Sequence, residues 1–461
     1  MTEQQAKGSK GERNSSPDET KQEILTNKHT IMAYTETTTT SYGSRLKNSV
    51  GGVFSGILMF IIGTCLLWWN EGRAVKTTRM LEEAQGNYVE MKDITNISPS
   101  LNGKLVHATG LATTKDTLTD DVFGIKVSAI ALQRSVEYYQ WVEVAKKTKK
   151  DKLGGSEETV TTYTYEKGWK SEPVNSSEFH DPQYKNSNFV LADLKRERWD
   201  AKEVTFGAYK LNESQVTSLS TNTETKVTLT DDKLRELDKQ IVKIYKSKHG
   251  SKSNETAENK ETQNANDSVE QKSANAYNAE CIHVQGNTIY MGMNSATPEI
   301  GDVRVTYKQC DPGDVSVIAV VNGNTFSDYT AKNGKQLSVI RQGVQTADQM
   351  FTEQHEGNSM LTWVLRVIGV LLVISGLRGI LGIAETLLKV IPFVANIFAL
   401  GVSLICGVLG FAWSVTIIAL AWLFYRPLTG ILLLAIVGAV IFAFSAKGKK
   451  LIAEKLNTKR N

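Results

Sequence analysis

Apolar residues are concentrated in two parts of the chain, a short block around Met59 and a long one that begins near Leu361. The short block, residues 50–69, contains no charged residue. Roughly twenty helical residues match the hydrocarbon core of a bilayer, which is about 30 Å thick. Polar residues Asn70 and Glu71 follow this block directly, where a signal peptide would have small residues and a cleavage site. The pattern therefore predicts an uncleaved transmembrane helix.

The long block predicts three more membrane helices and one connector. Its first apolar segment is interrupted only by Arg366, whose long side chain can reach the membrane surface. The next stretch, residues 378–392, is apolar at helical spacing but carries Glu385 and Lys389, which indicates an interfacial connector. The remaining apolar run is too long for one crossing and breaks at a single Arg-Pro pair. The predicted helices therefore cover residues 361–377, 393–425 and 428–444.

Basic residues near the ends of these spans predict the orientation of the chain. The C-terminal tail, residues 445–461, is rich in lysine, whereas the turn before the last helix has one arginine. The tail is therefore expected in the cytoplasm. Four spans then place the N-terminal tail, residues 1–49, in the cytoplasm as well, and residues 70–360 in a lumen or periplasm. One cue against this orientation is a set of basic residues after the first span, Arg73, Lys76 and Arg79.

Between the first and second spans, apolar and polar residues alternate with a period of two in short runs. This alternation predicts antiparallel strands, arranged in an open sheet or a barrel. The runs begin at Lys104, Ile125, Thr159, Lys226, Cys281, Asp302, Asp314 and Gln336. Apolar residues at helical spacing predict helices over residues 231–245 and 346–355.

Two segments lack any such pattern. Residues 1–49 and 247–276 are rich in Lys, Glu, Asn, Ser and Thr and have almost no apolar periodicity. Such segments bury too little apolar surface to offset the entropy of ordering, so both are predicted to be disordered. The predicted fold class is an α+β membrane protein. It has four transmembrane α-helices, one N-terminal and three C-terminal, and a large β-rich extracytoplasmic domain with a disordered insertion.

An aromatic-rich hairpin is predicted within this domain. Its arms cover residues 136–145 and 159–169, joined by a lysine-rich loop around Gly154. The aromatic residues that would crowd together there are Tyr138, Tyr139, Trp141, Tyr163, Tyr165 and Trp169. They form either a surface for a partner or lipid, or the packed faces of a stable hairpin; aromatic cross-strand pairing favours the packed hairpin.

Charge and motifs exclude several classes of function. The net charge of +4 is small, and no basic stripe interleaved with aromatics is present, so nucleic acid is not an expected partner. The sequence has no HExxH motif, nucleophile elbow, Walker loop or GxGxxG fingerprint. We therefore expect no enzyme activity, no cofactor and no metal site. His355 and Glu356 form either a pair at the membrane surface or, as the pattern favours, part of a solvated loop.

Cysteines and glycines leave two questions open. Cys281 and Cys310 lie in the β-rich region and are either bridged in an oxidising compartment or present as two buried thiols. Gly52 and Gly56 form a GxxxG pair, and Ser375 with Gly379 gives a second pair of small residues. Such pairs allow close helix contact in lipid, either within one chain or in a homo-oligomer.

Several phrases of sequence, in this order, resemble the LUMA family, also called transmembrane protein 43. The phrases stand directly after the first span, in the aromatic hairpin, at Gly301 to Val305, from Asn358 to Arg366 and at Trp422 to Leu428. The residues that carry the resemblance are Asn70, Glu71, Gly72, Arg73, Gln140, Trp141, Glu143, Trp169, Asp302, Arg304, Trp363, Arg366, Trp422, Tyr425, Arg426 and Pro427. The likeness extends over residues 45–445.

The resemblance implies a four-pass protein of the endoplasmic reticulum and inner nuclear membrane, with its large domain in the lumen. Animal members of the family are thought to organise the nuclear envelope with lamins and emerin. The family also has bacterial members, for which the same topology implies the inner, or plasma, membrane and a periplasmic domain.

Two hypotheses of function follow. The leading one is a non-enzymatic membrane scaffold that organises protein or lipid assemblies, as the resemblance implies. Its expected partners are membrane lipids and other membrane proteins, with a homo-oligomer as an open alternative. The second is a membrane-surface enzyme that acts on lipid or an envelope polymer, using polar residues near His355 or Arg426.

Overall fold

The structure is a computed structural model that describes residues 33–249 and 277–427, together with the isolated positions 431, 432 and 435. The predicted fourth span, residues 428–444, and the basic tail, residues 445–461, lie outside the described residues, as does almost all of the predicted insertion. The described part contains five α-helices, α1 (Tyr42–Asn87), α2 (Glu213–Ser218), α3 (Asp231–His249), α4 (Ala347–Leu388) and α5 (Pro392–Tyr425), and two short 3-10 helices.

The same part contains nineteen strands. They are β1 (Tyr34–Thr40), β2 (Val89–Met91), β3 (Leu105–Thr114), β4 (Leu118–Asp120), β5 (Ile125–Val127), β6 (Ala131–Asp151), β7 (Glu157–Lys170), β8 (Glu197–Asp200), β9 (Val204–Phe206), β10 (Tyr209–Lys210), β11 (Thr223–Glu224), β12 (Ile282–Gln285), β13 (Thr288–Met291), β14 (Val303–Cys310), β15 (Gly313–Asn322), β16 (Thr325–Ser327), β17 (Tyr329–Thr330), β18 (Gln336–Leu337) and β19 (Val339–Gln342).

Three helices, α1, α4 and the part of α5 from Ile397 onward, are long and apolar enough to cross a membrane. Helix α1 extends beyond the predicted span in both directions, and the Ser41 side chain caps its first turn by accepting from the backbone N–H of Ser44. The prediction of disorder for residues 1–49 is wrong for the segment from Tyr34 onward, which forms β1 and the start of α1. Threonine-rich β1 is polar, so its stability comes from strand pairing rather than from burial.

The predicted second span and connector form one continuous helix, α4. Thr346 and Gln349 build a capping box at its start, so the helix predicted over residues 346–355 leads directly into the span. The prediction of a separate interfacial element at residues 378–392 is wrong. Glu385 and Lys389, the cause of that prediction, lie one turn apart at 3.7 Å, a pairing compatible with the helix. The chain turns only where Pro392 begins α5.

Helices α1 and α4 run antiparallel over their whole length, along a seam of glycines. A Cβ on Gly56 would lie 2.8 Å from the carbonyl oxygen of Gly376, and one on Gly376 would lie 2.6 Å from the backbone nitrogen of Phe60. A Cβ on Gly63 would lie 2.9 Å from the backbone nitrogen of Val373. Small residues let helix backbones approach in this way. The described contact of Gly56 is therefore within one chain, whereas a Cβ on Gly52 would meet no described atom within 4 Å.

The strands form two main sheets around one core. The first sheet has the order β1-β7-β6-β14-β13-β12, with β8 beside β6 and β11 beside β14. The second has the order β19-β15-β16-β10-β9-β3-β2, and β3 also pairs with β15, so that five of its strands form a closed ring. Leu132, Val305, Val317 and Phe206, from strands of both sheets, are buried in the common core. Antiparallel pairing predominates, as predicted.

Most of the predicted alternating runs coincide with strands. The run that begins at Lys226 is an exception, because β11 ends at Glu224 and the following residues form no strand. Val227 is nevertheless buried, and its N–H donates to the carbonyl of Gly286. Helix α3 follows and packs on the core through Ile241, as its apolar stripe predicted.

Cys281 and Cys310 are both free thiols. The alternative of a disulfide between them is therefore wrong, and that of two buried thiols is correct. Cys281 contacts the sulfur of Met293, and Cys310 accepts from the side chain of Gln342. Burial raises the pKa of the Cys281 thiol to about 12, which keeps it protonated and unreactive at neutral pH.

The membrane helices continue into the folded domain. A second buried cluster joins Met80 and Leu81 of α1 to Met350 and Phe351 of α4, and Ile318 of β15 belongs to it. The first two spans and the domain therefore share side-chain packing, with no linker between them. Such continuity couples the position of the domain to that of the spans.

The predicted hairpin is longer than expected and has a third strand. Residues 138–151 of β6 pair with residues 157–170 of β7, and β1 lies along the outer side of β7. We call these three segments the ribbon. Its outer edges, β1 and residues 142–151 of β6, have no further strand partner among the described residues.

The tip of the ribbon reaches the end of the helices that is remote from the folded domain. The Arg45 guanidinium donates to the carbonyl of Gly155 at 2.8 Å and lies 2.7 Å from the Asp151 carboxylate. The N–H of Gly154 donates to the carbonyl of Val390 at 3.2 Å. The sequence predicted Arg45 and Gly155 on opposite sides of a bilayer, whereas the structure brings them into contact.

This contact restricts where lipid can lie. The ribbon exposes Lys146, Lys147, Lys149 and Lys150, and hydrocarbon tolerates neither charged side chains nor unpaired strand edges. With a bilayer around residues 50–69, the ribbon can occupy this position only in water or inside protein. The placement of all of residues 70–360 on one side therefore conflicts with the contact at Arg45.

Candidate functional site

Three of the phrases singled out in the sequence meet at one place, where the membrane helices enter the folded domain. Asn70 to Arg73 come from α1, the segment from Asn358 to Arg366 comes from α4, and the segment from Trp422 to Arg426 comes from the end of α5. We call this meeting point the helix junction. More than 280 residues separate the first phrase from the second in sequence, so the contact depends wholly on the antiparallel crossing of α1 and α4.

A buried ion pair forms the centre of the helix junction. The Arg366 guanidinium donates to both carboxylate oxygens of Glu71, at 2.6 and 2.8 Å, and the indole N–H of Trp422 donates to one of them at 2.7 Å. The Glu71 side chain is 2% exposed and that of Arg366 15%. The guanidinium also lies 4.8 Å from the ring centre of Trp363, a cation–π distance. Glu71 therefore links all three membrane helices.

Hydrogen bonds to the backbone and to side chains extend the helix junction toward the domain. The Asn70 amide donates to the carbonyl of Thr362 at 2.9 Å. Arg73 donates to Asn358 at 3.0 Å and to the Thr362 hydroxyl at 2.8 Å, and Asn358 in turn donates to the carbonyl of Ala74. These bonds fix the register of α1 against α4, because each one joins a side chain on one helix to a single position on the other.

Gly72 has a steric role at the junction. A Cβ at this position would lie 2.6 Å from the ring of Tyr425, so any larger residue would require this ring to move. Arg79, two turns further along α1, donates to the carbonyl of Tyr425 at 2.7 Å. This carbonyl is at the C-terminal end of α5, where carbonyl groups have no hydrogen-bond donor within the helix. Trp68 packs on the Tyr425 ring, with 6.0 Å between the ring centres.

A polar cavity of about 340 Å³ lies beside the ion pair. Its lining includes Glu71, Arg366, Trp422, His355 and Arg426. On the other side of Arg366, an apolar cleft of about 420 Å³ runs between α4 and α5. Trp363, Arg366 and Trp422 line both spaces, so the two adjoin at these residues.

His355 and Glu356 do not form the pair that one interpretation of the sequence predicted, nor do they lie in a loop. Both belong to α4, where consecutive side chains point about 100° apart. His355 lines the polar cavity, whereas Glu356 is exposed and does not. A general acid and base are therefore not brought together by these two residues.

The remaining residues of the resemblance lie at the base of the ribbon. The Gln140 side chain is buried and accepts from the N–H of Val174 at 2.7 Å. The backbone of Trp141 is held by Asn188, and its ring meets that of Tyr184 edge-on, with 4.8 Å between centres. These groups anchor the loop that follows β7.

Glu143 is held at the same place by several donors. The Tyr165 hydroxyl donates to its carboxylate at 2.5 Å, and His180 donates through its backbone N–H at 2.7 Å and contacts it with its ring at 2.9 Å. Burial alone would raise the pKa of Glu143, but these hydrogen bonds lower it. Burial and the bond to Glu143 raise the pKa of Tyr165, so this hydroxyl remains a donor. Glu143 is therefore a fixed anion with a structural role.

Trp169, Arg304 and Asp302 complete this region. Arg304 lies over the Trp169 ring at 4.4 Å and pairs with Glu137 on the neighbouring strand. Asp302 is buried, accepts from the N–H of Glu299 at 2.8 Å and contacts the Tyr290 hydroxyl. The aromatic residues of the hairpin are thus mostly packed, as the sequence favoured.

Sequence reasoning missed one buried polar cluster. Arg134 of β6 pairs with Asp120 at 2.6 Å and with Glu197 at 2.9 Å, and the Tyr307 hydroxyl donates to Asp120 at 2.6 Å. Arg134 and Asp120 are at most 3% exposed. The available signal was an arginine inside an otherwise apolar alternating run. Every charge in this cluster has a partner, which indicates a structural role in the core.

Comparisons with known proteins identify related chains. The family model described as "Transmembrane protein 43" matches residues 138–427. The mouse and human proteins named Transmembrane protein 43 are each 27% identical to this chain over 419 residues, which covers 88% of this chain and 93% of theirs. The fruit fly homolog is 24% identical over 385 residues, covering 82% of this chain and 90% of its own. No solved structure matches the chain.

The residues matched by the family model include the β6–β7 hairpin of the ribbon and the α4 and α5 parts of the helix junction, and the matches confirm the resemblance found in the sequence. The apolar helices agree with the description of the family as transmembrane proteins. The family model alone covers more than half of the chain, so this protein belongs to the transmembrane protein 43 family.

Proposed function

We propose that this protein is a membrane scaffold that holds a partner protein on its folded domain and fixes that partner relative to the bilayer. The observation that carries the proposal is the continuity of α1 and α4 with the domain core. Met80 and Leu81 on α1 pack with Met350 and Phe351 on α4 and with a strand of the second sheet. A load on the domain is therefore transmitted to the spans without a flexible joint.

The ribbon is the surface that we assign to the partner. It extends away from the core, and its edges have no further strand partner among the described residues. Apolar Val144 of the ribbon is 45% exposed, and Leu153, in the turn between β6 and β7, is 85% exposed. Lys146 and Lys147 are also exposed on it. These features favour an acidic partner that adds to a strand edge.

Charge reversal on the ribbon tests the scaffold hypothesis. Proteins that crosslink to the native chain in membranes are expected to be recovered in about tenfold lower amounts with the double variant Lys146→Glu, Lys147→Glu. The matched control is Lys239→Glu, Lys243→Glu, which reverses two exposed lysines on α3. Recovered proteins are quantified by mass spectrometry. The proposal would be rejected if the native chain, the ribbon variant and the α3 variant recovered the same proteins in the same amounts. It would also be rejected if no protein were recovered repeatably and no self-association were found.

The second hypothesis from the sequence, an enzyme at the membrane surface, has one observation in its favour. The polar cavity at the helix junction contains His355, a residue able to transfer protons. The carboxylate that lines the same cavity, Glu71, already accepts three hydrogen bonds and is balanced by Arg366. A base must be available to its substrate, so this geometry favours the scaffold.

For the topology, we propose that the N-terminal tail and the C-terminal basic tail face the cytoplasm, in the inner membrane of a bacterium or in the endoplasmic reticulum and inner nuclear membrane of a eukaryote. The distribution of lysine at the C-terminus supports this orientation. Helix α5 ends beside Arg79, at the domain end of α1, which is compatible with one further crossing after it. The position of the ribbon relative to the bilayer is the part that needs a direct test.

A disulfide between the N-terminal tail and the ribbon provides that test. Thr38 and Thr159 are directly opposed on β1 and β7, so cysteines at both positions are expected to bridge in native membranes on mild oxidation. The control is Thr38→Cys with Thr164→Cys, two positions that are not opposed. Each single cysteine variant is also oxidised, to detect any disulfide that the introduced cysteine forms with a native cysteine. Tryptic digestion without reduction, followed by mass spectrometry, detects the bridged pair of peptides.

The opposite outcome is equally informative. If the cysteine introduced at position 159 reacts with an impermeant reagent from outside the cell and never bridges to the one at position 38, the bilayer separates the tail from the ribbon. The contact at Arg45 would then not exist in the membrane, and the simple placement of residues 70–360 outside would hold.

A further inference from the structure

We propose that Cys281, His283 and Met293 bind one Cu(I) ion beside β12, the last strand of the first sheet. The Cys281 sulfur lies 3.4 Å from the Met293 sulfur, and Nε2 of His283 lies 3.1 Å from the Met293 carbonyl oxygen. A thiol, a thioether and an imidazole therefore meet around one residue. None of them belongs to the ribbon or to the helix junction, so this inference is independent of the scaffold hypothesis.

The hairpin of β12 and β13 brings these groups together. Cys281 directly precedes β12, which contains His283, and Met293 follows the end of β13 by two residues. The N–H of Gly292 donates to the carbonyl of Cys281 at 2.9 Å, which continues the pairing of the two strands beyond Met291. Backbone pairing thus holds the two sulfur atoms at contact distance.

The hydrogen bond of His283 leaves a nitrogen lone pair for a metal. A carbonyl oxygen can only accept, so the Nε2 atom that faces Met293 carries the ring proton. In the neutral imidazole, Nδ1 then has the lone pair and is the atom that can coordinate an ion. Histidines that bind metals usually donate their other ring N–H to a carbonyl or a carboxylate in this way.

The types of ligand favour a soft ion. A thioether beside a thiolate favours Cu(I), whereas zinc is bound by Cys, His and carboxylates, and calcium and magnesium by oxygen atoms. The part of the chain that the structure describes contains no group of three or more His, Cys, Asp or Glu side chains suited to a metal. The proposed site therefore depends on the sulfur of Met293. The motifs sought in the sequence contain no methionine, so they do not reveal it.

An anionic group lies next to the thiol. Asp238 of α3 accepts from the N–H of Cys281 at 2.7 Å and from that of Glu280 at 3.0 Å. Burial raises the pKa of Asp238, but these hydrogen bonds lower it overall, so the carboxylate stays charged. Lys246 balances Glu280 at 3.2 Å, whereas Asp238 has no ion-pair partner among the described residues. A cation near Cys281 is therefore stabilised by Asp238.

Copper would replace a proton on Cys281. Burial, followed by the charges of Glu280 and Asp238, raises the pKa of this thiol to about 12, so it is protonated at neutral pH. A metal that coordinates a thiol removes its proton outright. The sulfur–hydrogen bond is exchanged for a sulfur–copper bond, the proton leaves to water, and no oxidation state changes. Cys281 itself is fully buried, but Met293 is 41% exposed, so an ion can enter from the surface through the thioether.

Competition with a coloured Cu(I) complex tests the proposal. The full chain is purified in detergent under reducing conditions, loaded with Cu(I) and titrated with the chelator bicinchoninate. We expect one ion to be retained per chain. Cys281→Ser should lower the affinity by at least about a hundredfold, because it removes the anionic ligand, and Met293→Leu by about tenfold. The apparent affinity should rise about tenfold per pH unit between about pH 7 and 9, because one thiol proton is released.

Matched variants separate this site from the other sulfur atoms of the chain. Cys310→Ser replaces the other buried thiol of the domain, Met291→Leu replaces a buried methionine of the same hairpin, and both should retain the ion. His283→Gln should remove the nitrogen neighbour from the X-ray absorption spectrum of the bound copper and leave two sulfur neighbours. Because Met293 is at the surface, Met293→Leu decides the test if Cys281→Ser is unstable, and the thermal midpoint without copper is measured for each variant.

Three results would overturn the proposal. If the chain retained no Cu(I) against bicinchoninate, the three side chains would not form a site. Equal retention by the native chain, Cys281→Ser and Met293→Leu would place the ion elsewhere. Displacement of the ion by an equal amount of Zn(II) would show a site that does not depend on the thioether.

Discussion

Replacing Glu71 with alanine is expected to destabilise the protein by about 3–5 kcal/mol, the usual effect of breaking a buried ion pair. The change leaves the Arg366 guanidinium and the indole N–H of Trp422 without their acceptor, in a place where water has little access. Because Glu71 touches α4 and α5 as well as its own helix, the three spans should separate together. The measurement is the thermal midpoint and the midpoint of urea unfolding in detergent.

Two further variants identify the cause of the loss. Glu356→Ala removes an exposed carboxylate from α4, the helix that carries Arg366, and should change stability by less than about 0.5 kcal/mol. The double variant Glu71→Leu, Arg366→Leu removes both charges, so it should be clearly more stable than Glu71→Ala alone. If Glu71→Ala and the double variant Glu71→Leu, Arg366→Leu are destabilised equally, the unpaired charge of Arg366 is not the cause of the destabilisation. The lost contact of Glu71 with Trp422 would then be the cause.

Replacing Gly376 with leucine is expected to separate α1 from α4. Any Cβ at this position lies 2.6 Å from the backbone nitrogen of Phe60 and 2.8 Å from the carbonyl of Gly56, and backbone atoms cannot rotate away. Overpacking against side chains costs about 1–3 kcal/mol, and a clash with two backbone groups should exceed that range. Gly376→Ala should already lower the thermal midpoint, and leucine should abolish the folded peak in size-exclusion chromatography.

The control for this prediction lies on the same helix. A Cβ added at Gly382 would have no neighbouring atom of the described residues within 4 Å, so Gly382→Leu should leave the elution profile and thermal midpoint nearly unchanged. It also gains helix propensity, by up to about 1 kcal/mol. If both leucine variants behave alike, close approach along the glycine seam is not needed for the fold.

The helix junction shows how far sequence reasoning could reach toward a site. The sequence points to Asn70, Glu71, Trp363, Arg366, Trp422 and Arg426 because they stand in the phrases that resemble the transmembrane protein 43 family. Nothing in the sequence pairs Glu71 with Arg366, which lie 295 positions apart. That pairing depends on the register of two antiparallel helices, to which both the hydrogen bonds of the junction and the glycine seam contribute.

The ribbon shows where local composition misleads. Tyr34 to Thr40 is polar and lacks apolar residues at sheet spacing, so its composition predicts disorder. It is a strand because β7 provides a backbone partner for each of its residues. Backbone pairing of this kind does not require a pattern of apolar residues in the strand itself. The connector predicted at residues 378–392 failed for a similar reason, since Glu385 and Lys389 neutralise each other within α4.

The sequence by itself determined three of the apolar spans, most strands of the domain and the family, because hydrophobic period and characteristic phrases are properties of short segments. Only the tertiary structure decided that α4 is continuous, that the two domain cysteines are free, and that three distant phrases meet at one buried ion pair. The last of these features depends on contacts between residues hundreds of positions apart. Their energy comes from packing and paired charges, which a linear pattern does not encode.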